Sequence, residues 1–379
     1  MAVSDNVTEG PDHEEARRVR VVLDTNVWRS SQLLRDPVSA ALLYALERIG
    51  GQLGMPEVIE REVFKHGVAM GREARVEIEK HLRTIRALIG RSPGVELPSD
   101  EQFESAVHER LVELEGLFHR VPFTVDIALR ALDRVDLKYP PSHAGQQYKD
   151  SAIWEHCLDL AGEFEIHLVT ADKAFYQQNS FQKGLEERLR DELSARGVVV
   201  EIHDTMGSLL AHLTGDVAES FDATAAADAI HASILGTLRS SVERDGWVLS
   251  DRQDAQFEAF VTERTGVLSV TFALRYSLTS DVLVVSGAYA TVDGQCIYRP
   301  AIQEVAEVKL STIRTAIPSD SGFEERKHVF AFVGTAMGGP PPVPHIVRAP
   351  LPGGNEFRLI ELHDGGEATD TASPNHKEP

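Results

Sequence analysis

Two aspartates stand where short apolar runs give way to polar turns, and a third opens a helix-like stretch. Asp24 closes the run in "VRVVLDTNVW", Asp172 follows "IHLVT" in "VTADKAF", and Asp150 opens the helix-like stretch "KDSAIWE". Taken singly, each has an ordinary reading: Asp24 with Thr25 and Asn26 resembles a turn or helix cap, and Asp150 resembles an N-cap. Taken together they suggest more. In a parallel α/β sheet the carboxyl ends of the strands converge on a shared crevice, so acids at those ends are brought near one another. Carboxylates gathered without a counter-charge repel, and at least one keeps its proton at neutral pH. A hard divalent cation relieves that repulsion, and carboxylate oxygens suit Mg²⁺ or Mn²⁺ rather than thiol-preferring metals.

The elements that must position these acids follow from the apolar pattern. "VRVVLD" reads as a buried strand, "DPVSAALLYALERIG" as a helix, "QLGMP" as a short strand, and residues 57–89 as one long charged helix. A further helix is expected over residues 99–118, where Phe103, Val107, Leu111, Leu114 and Phe118 recur at helical spacing, and another after Pro122, the two forming a helical arm. Then come the loop "KYPPSHAGQQYK", the helix "DSAIWEHCLDLAG", the strand "FEIHLVTAD", a helix near residues 182–195 and the strand "VVVEIH". This β-α-β alternation predicts an α/β fold, a parallel sheet flanked by helices with right-handed crossovers.

Beyond Thr214 the texture changes. A helix with Ile230, Ile234 and Leu238 on one face precedes the runs "LSVTFALRYSL", "DVLVVSGAYATV", "CIYRP", "EVAEVKLSTIRTA" and "KHVFAFV", rich in β-formers and separated by short turns. A smaller α+β domain with an antiparallel sheet is therefore expected. The domain plan is an arm over residues 1–17, an α/β domain over 18–213, the α+β domain over 214–337, and a Pro/Gly-rich linker with a short strand and polar tail over 338–379. No internal repeat is evident.

The balance of charge narrows the partners. Net charge is −21, spread along the chain rather than held in one tail, which opposes generic adhesion to nucleic acid and demands a confined basic surface for any such partner. Two cysteines, Cys157 and Cys296, far apart in sequence, support neither a disulfide framework nor a Cys-rich zinc site, and a reducing, cytoplasmic setting is expected. His156 beside Cys157 is a poor zinc pair without two further ligands. Neither a signal peptide nor an apolar run long enough for a membrane span is present, and there is no P-loop, dinucleotide fingerprint or nucleophile elbow.

Over residues 18–213 the ordered acids resemble the PIN-domain nucleases, in the larger bacterial form with a C-terminal extension. "VVLDTNVW" is similar to the family's opening strand, "PEVIEREV" to its second acidic motif, "KDSAIWE" to the third and "VTADKAF" to the fourth. The resemblance implies that Asp24, Glu62, Asp150 and Asp172 are catalytic metal-binding acids for Mg²⁺ or Mn²⁺, supported by Thr25, Asn26, Ser151 and Thr170. Glu62, followed directly by Val63, fits the second motif best, with Glu60 the alternative. Ala174 stands where many relatives carry another acid, and the interval from Glu62 to Asp150 is long for a minimal member. The implied activity is endonucleolytic hydrolysis of RNA, single-stranded or looped.

Binding an anionic substrate requires local cations: Lys149 and Lys173 flank two of the acids, and Lys65, Arg72, Arg75, Lys80, Arg83 and Arg86 lie along the long helix. That helix reads equally well as a solvated face, since Glu73, Glu77 and Glu79 are interleaved. Tyr148 or Phe175 could stack a base, Phe175 fitting a core position better. Two other readings stay open: a catalytically weak RNA-binding or assembly module, and a structure-specific DNA nuclease using the same acids. The C-terminal domain could bind a protein partner, regulate the site or mediate self-association.

Overall fold

The computed structural model describes residues 18–91, 94–144, 147–214, 221–280, 287–319 and 322–328. The expected arm at 1–17 and the expected linker, strand and tail at 338–379 lie outside these residues, as do the first half of "DVLVVSGAYATV" and the end of "KHVFAFV".

The chain opens with β1 (Val19–Leu23), then α1 (Thr25–Ser30), α2 (Pro37–Ile49), β2 (Gln52–Pro56) and α3 (Glu57–Ile89). Next come α4 (Asp100–Glu113), β3 (Phe118–Val121), α5 (Val125–Asp136), α6 (Tyr148–Leu160), β4 (Glu165–Val169), α7 (Glu187–Arg196), β5 (Val200–His203) and α8 (Met206–Thr214). The five strands form one sheet in the order β3-β2-β1-β4-β5, and every pairing is parallel. From β1 the chain builds outward through β2 and β3, then crosses back to lay β4 and β5 on the other side. The direction reverses between β1 and β4, so the crevice at their carboxyl ends is the topological switch point, where open α/β sheets place their ligand chemistry.

Local chemistry explains the elements. β1 is buried on both faces, and Val21 and Val22 are fully enclosed, as a central parallel strand requires. Asp36 caps α2 by accepting from the Ser39 amide at 3.0 Å, with Pro37 just inside the helix. The 33-residue α3 follows β2 directly and ends where Gly90 takes a left-handed conformation at φ 77°. Only its first turns are buried, at Ile59, Val63, Gly67 and Val68; the rest projects and is braced by α4, where Asp100 receives Arg72 at 2.9 Å and Arg75 at 2.6 Å.

The expected helix over 99–118 is corrected. α4 stops at Glu113, and Phe118–Val121 is an edge strand paired to β2 with Leu53 opposite Phe118. Leu114 and Phe118 keep helical spacing yet serve different elements. Phe118 is buried against Trp28 at 6.2 Å between ring centroids, so its apolarity reports core packing and not helix phase.

A second layer begins with α9 (Ala223–Glu243) and continues through β6 (Val248–Val261), β7 (Leu268–Thr279), β8 (Tyr289–Arg299), β9 (Glu304–Ser319) and β10 (Gly322–His328). These strands form an antiparallel meander in the order β10-β9-β8-β7-β6, and α9 packs Ile230, Ile234 and Leu238 into its core. The strand β6 is an addition to the expected set. The runs "GAYATV" and "CIYRP" merge into the single strand β8, within which Gly294 lets Phe272 and the Lys309 carbonyl approach closely.

Both sheets belong to one compact unit. Phe260 of β6 is buried in the core of the parallel layer. Asp36 at the head of α2 also accepts from Gln295 Nε2 of β8 at 2.8 Å and from Lys309 Nζ of β9 at 3.1 Å, while Gln295 Oε1 accepts from the Val38 amide at 3.0 Å. Among the described residues no helix is long and apolar enough to cross a membrane.

Candidate metal centre

The β1–β4 pairing sets Leu23 beside Val169, so the next residues, Asp24 and Thr170, emerge side by side at the switch point. The Asp24 amide donates to the Val169 carbonyl at 2.9 Å, extending the ladder by one residue, and its side chain is buried. The Thr170 hydroxyl, fully enclosed, donates to Asp24 Oδ2 at 2.8 Å and accepts from the Asp172 amide at 3.0 Å. One hydroxyl therefore fixes both strand-end acids.

Asp172 is shaped further by its own turn. Its Oδ1 accepts from the Ala174 amide at 2.8 Å and its Oδ2 from Gln147 Nε2 at 3.0 Å. Gln147 is the residue before α6, and Asp150 lies in that helix's first turn. The helix is pinned from behind. Glu155 is almost wholly buried, accepting from Arg130 Nε at 2.8 Å and from Arg134, and Trp154 donates to Glu192 at 3.0 Å.

Electrostatics show that the three aspartates share one environment. Asp150 is pushed up to about 7, first by burial, then by the charges of Asp24 and Asp172, with a hydrogen bond to Asp172 adding to the rise. Asp24 is also raised, chiefly by burial and against the pull of the Thr170 hydroxyl, with Asp172 adding a smaller upward push. Burial and like charge both disfavour the ionised carboxylate, and Lys149 offsets them only in part. None of the three aspartates forms an ion pair with a described Lys or Arg. Their oxygens are more open than a closed cage: they do not make a set of three all lying within 4.8 Å of one another.

Glu62 stands beside this group. Its Oε2 accepts from Thr25 Oγ1 at 3.0 Å and its other oxygen pairs with Lys149, the neighbour of Asp150. Glu60 points elsewhere, to Arg120 at 3.1 Å. The remaining residues singled out from sequence divide clearly. Thr25 and Thr170 hold acids; Asn26 is exposed at the start of α1; Ser151 is buried and shares a 2.9 Å hydrogen bond with Ser142. Lys65 is exposed one turn beyond Glu62, without an ion pair among the described residues. Lys173 is exposed, its ammonium 5.7 Å from the Phe181 ring. Arg72 is engaged by Asp100 and Glu104, and ten residues of helix put it about 15 Å along the axis from Glu62. Phe175 is core, packed on Trp154, and the Tyr148 hydroxyl donates to the Ala128 carbonyl.

Sequence reasoning missed Gln147, which lies in an apparent loop, and a second polar cluster formed by Glu165, His167, Glu201, His203 and His212. Its one sequence signal was the tripeptide Glu-Ile-His, present at 165–167 and again at 201–203. Comparison with protein-family models and with curated proteins returns no match.

Proposed function

We propose that this protein is a divalent-metal-dependent endonuclease acting on RNA, with its site at the β1–β4 switch point. The observation that carries the reading is the grouping there of Asp24, Asp150 and Asp172, from three separate stretches of chain, without an ion pair to any described Lys or Arg and with Lys149 only partly offsetting the charge at Asp150. That donor set fits Mg²⁺ or Mn²⁺: all-oxygen, hard, and electrostatically unsatisfied alone. Asp24, Asp150 and Asp172 would hold the ion, and Glu62 would join directly or through water. When bound, such an ion stabilises charge on a phosphodiester and makes a water more acidic.

The chain's own residues supply placement. Thr170 locks Asp24 and the Asp172 backbone in fixed relation, which preserves the carboxylate arrangement as charge builds at the phosphate. Asp150, raised to about 7, would have to be ionised to hold such a cation, so its carboxyl would bind metal better above that pH than below it. Lys149, beside Asp150 and paired to Glu62, and the exposed Lys65 and Lys173 are the cations placed to meet phosphate oxygens. With a net charge of −21, binding depends on these few side chains, which favours a flexible single strand able to bring its backbone into a crevice.

The pairing of Glu62 with Lys149 favours a second reading, an RNA-binding module in which the fourth acid is tied up and cleavage is weak. The test offers single-stranded RNA, single-stranded DNA, branched DNA and a small phosphoester side by side, with Mg²⁺, with Mn²⁺ and with EDTA. Metal-dependent cleavage of RNA by the wild type, lost in Asp24→Asn and Asp150→Asn variants that still fold, supports the proposal. RNA binding without cleavage supports the second reading, and cleavage unchanged in both variants refutes the assignment of the site.

A further inference from the structure

The face of the parallel sheet covered by α8 ought to be apolar, because both faces of such a sheet are normally buried. At its β4–β5 end it is not. Strand alternation places Glu165 with His167 on β4, and Glu201 with His203 on β5, on one face, and His167 lies directly beside Glu201 in the register. His212 of α8 descends on the same spot. The three imidazole rings sit with centroids 5.1, 5.3 and 5.6 Å apart.

The nitrogen and oxygen positions are specific. His167 Nδ1 is 3.1 Å from His203 Nε2 and 3.9 Å from Glu201 Oε2, and His212 Nε2 is 3.2 Å from that same Glu201 oxygen. Ligand atoms of His167, Glu201 and His203 all lie within 4.8 Å of one another, and those of Glu165, His167 and His212 make a second, adjoining set that shares His167. On its far side, His167 Nε2 is 3.2 Å from Glu165 Oε1. A carboxylate on the distant nitrogen of an inward-facing imidazole is the arrangement that sets the tautomer and orientation of a metal-binding histidine.

We propose that His167, Glu201 and His203, with His212 as the fourth donor and Glu165 orienting His167, form a site for a transition metal of the Zn²⁺ class. Imidazole nitrogens with one carboxylate suit Zn²⁺, Co²⁺ or Ni²⁺ and not Mg²⁺, so this site and the aspartate site select different ions. His167 is fully buried, while Glu201 and His212 are about two-fifths exposed and give the ion a path in. Because His212 belongs to α8 and the others to the sheet, the bound ion staples that helix onto β4 and β5.

Isothermal titration of the EDTA-stripped full chain with Zn²⁺, in excess Mg²⁺ to fill the aspartate site, tests this. Co²⁺ absorption serves as a second readout of nitrogen ligation. Glu201→Gln and His212→Ala change exposed side chains and leave the buried histidines in place. One Zn²⁺ per chain is expected, with affinity falling at least tenfold in each variant and unchanged in Asp150→Asn. Absence of Zn²⁺ binding by the wild type, or affinity unchanged by both Glu201→Gln and His212→Ala, overturns the site.

Discussion

The Thr170 hydroxyl donates to Asp24 Oδ2 at 2.8 Å, joining the residue after β1 to the residue after β4 across the seam where the strand order reverses. Because the same oxygen accepts from the Asp172 amide, it stands between two acids of the proposed site. Thr170→Val keeps the shape and removes both bonds. The expected cost is about 1–3 kcal/mol of stability, because the buried partners are left unsatisfied. Cleavage should fall more steeply than stability does. Thr170→Ser should restore both, and urea denaturation alongside single-turnover rates would show whether it does.

Asp150 gives a pH signature. Its carboxyl is raised to about 7 in the folded chain against an unfolded value near 4, so folding takes up a proton between those limits. The stability this confers is full at the acid end of the window and is lost as pH rises through about 7. In EDTA the wild type should therefore lose stability across that range relative to Asp150→Asn, by on the order of 2 kcal/mol for a partly buried group. Added Mn²⁺ should flatten the difference. Denaturation midpoints at a series of pH values measure it, and parallel curves for the two proteins would show that Asp150 is not shifted.

Glu62 and Glu60 separate by partner. Glu60→Gln disturbs an exposed pair with Arg120 and should leave the metal requirement as it is. Glu62→Gln removes an acid held by Thr25 and Lys149 beside Asp150, and the Mn²⁺ concentration for half-maximal cleavage should rise several-fold. Titrating Mn²⁺ against rate in the two variants decides between the two glutamates.

How much of this was legible in the sequence differs from residue to residue. The strand before Asp24 and the limits of α3 were readable because an apolar run and a long 3.6-residue period are strong local signals. The strand β3 was hidden because "FHRV" carries two polar residues and continues the helical spacing of α4. The edge strand β6 was hidden by its charges, Asp251, Arg252, Asp254 and Glu258, which an edge strand tolerates because one side meets water. Asp24 and Asp172 could be nominated as strand-end acids. Their closeness to Asp150, the choice between Glu62 and Glu60, and the commitment of Arg72 to α4 depended on tertiary packing, which no local pattern encodes. The histidine cluster was hidden for the same reason: its two Glu-Ile-His copies lie 36 residues apart, and they meet each other through strand register and His212 through helix packing.

Asp36 couples the layers, capping α2 while receiving Gln295 and Lys309 from the antiparallel sheet. Asp36→Ala strips the cap and leaves the half-buried Lys309 with the Ser30 carbonyl but no counter-charge, at a cost of about 1–3 kcal/mol. Asp36→Asn keeps the cap and should cost less. Limited proteolysis combined with urea unfolding should show the second layer loosening first in the alanine variant.

Asp24, Asp150 and Asp172 are proposed to hold one catalytic cation between them. The most direct measurement is anomalous scattering from crystals grown with Mn²⁺, which locates the ion among the side chains. A peak is expected at the β1–β4 switch point, about 2.2 Å from oxygens of Asp24 and Asp150 and lost in Asp150→Asn. Crystals saturated with Mn²⁺ that show no ion among these carboxylates would contradict it.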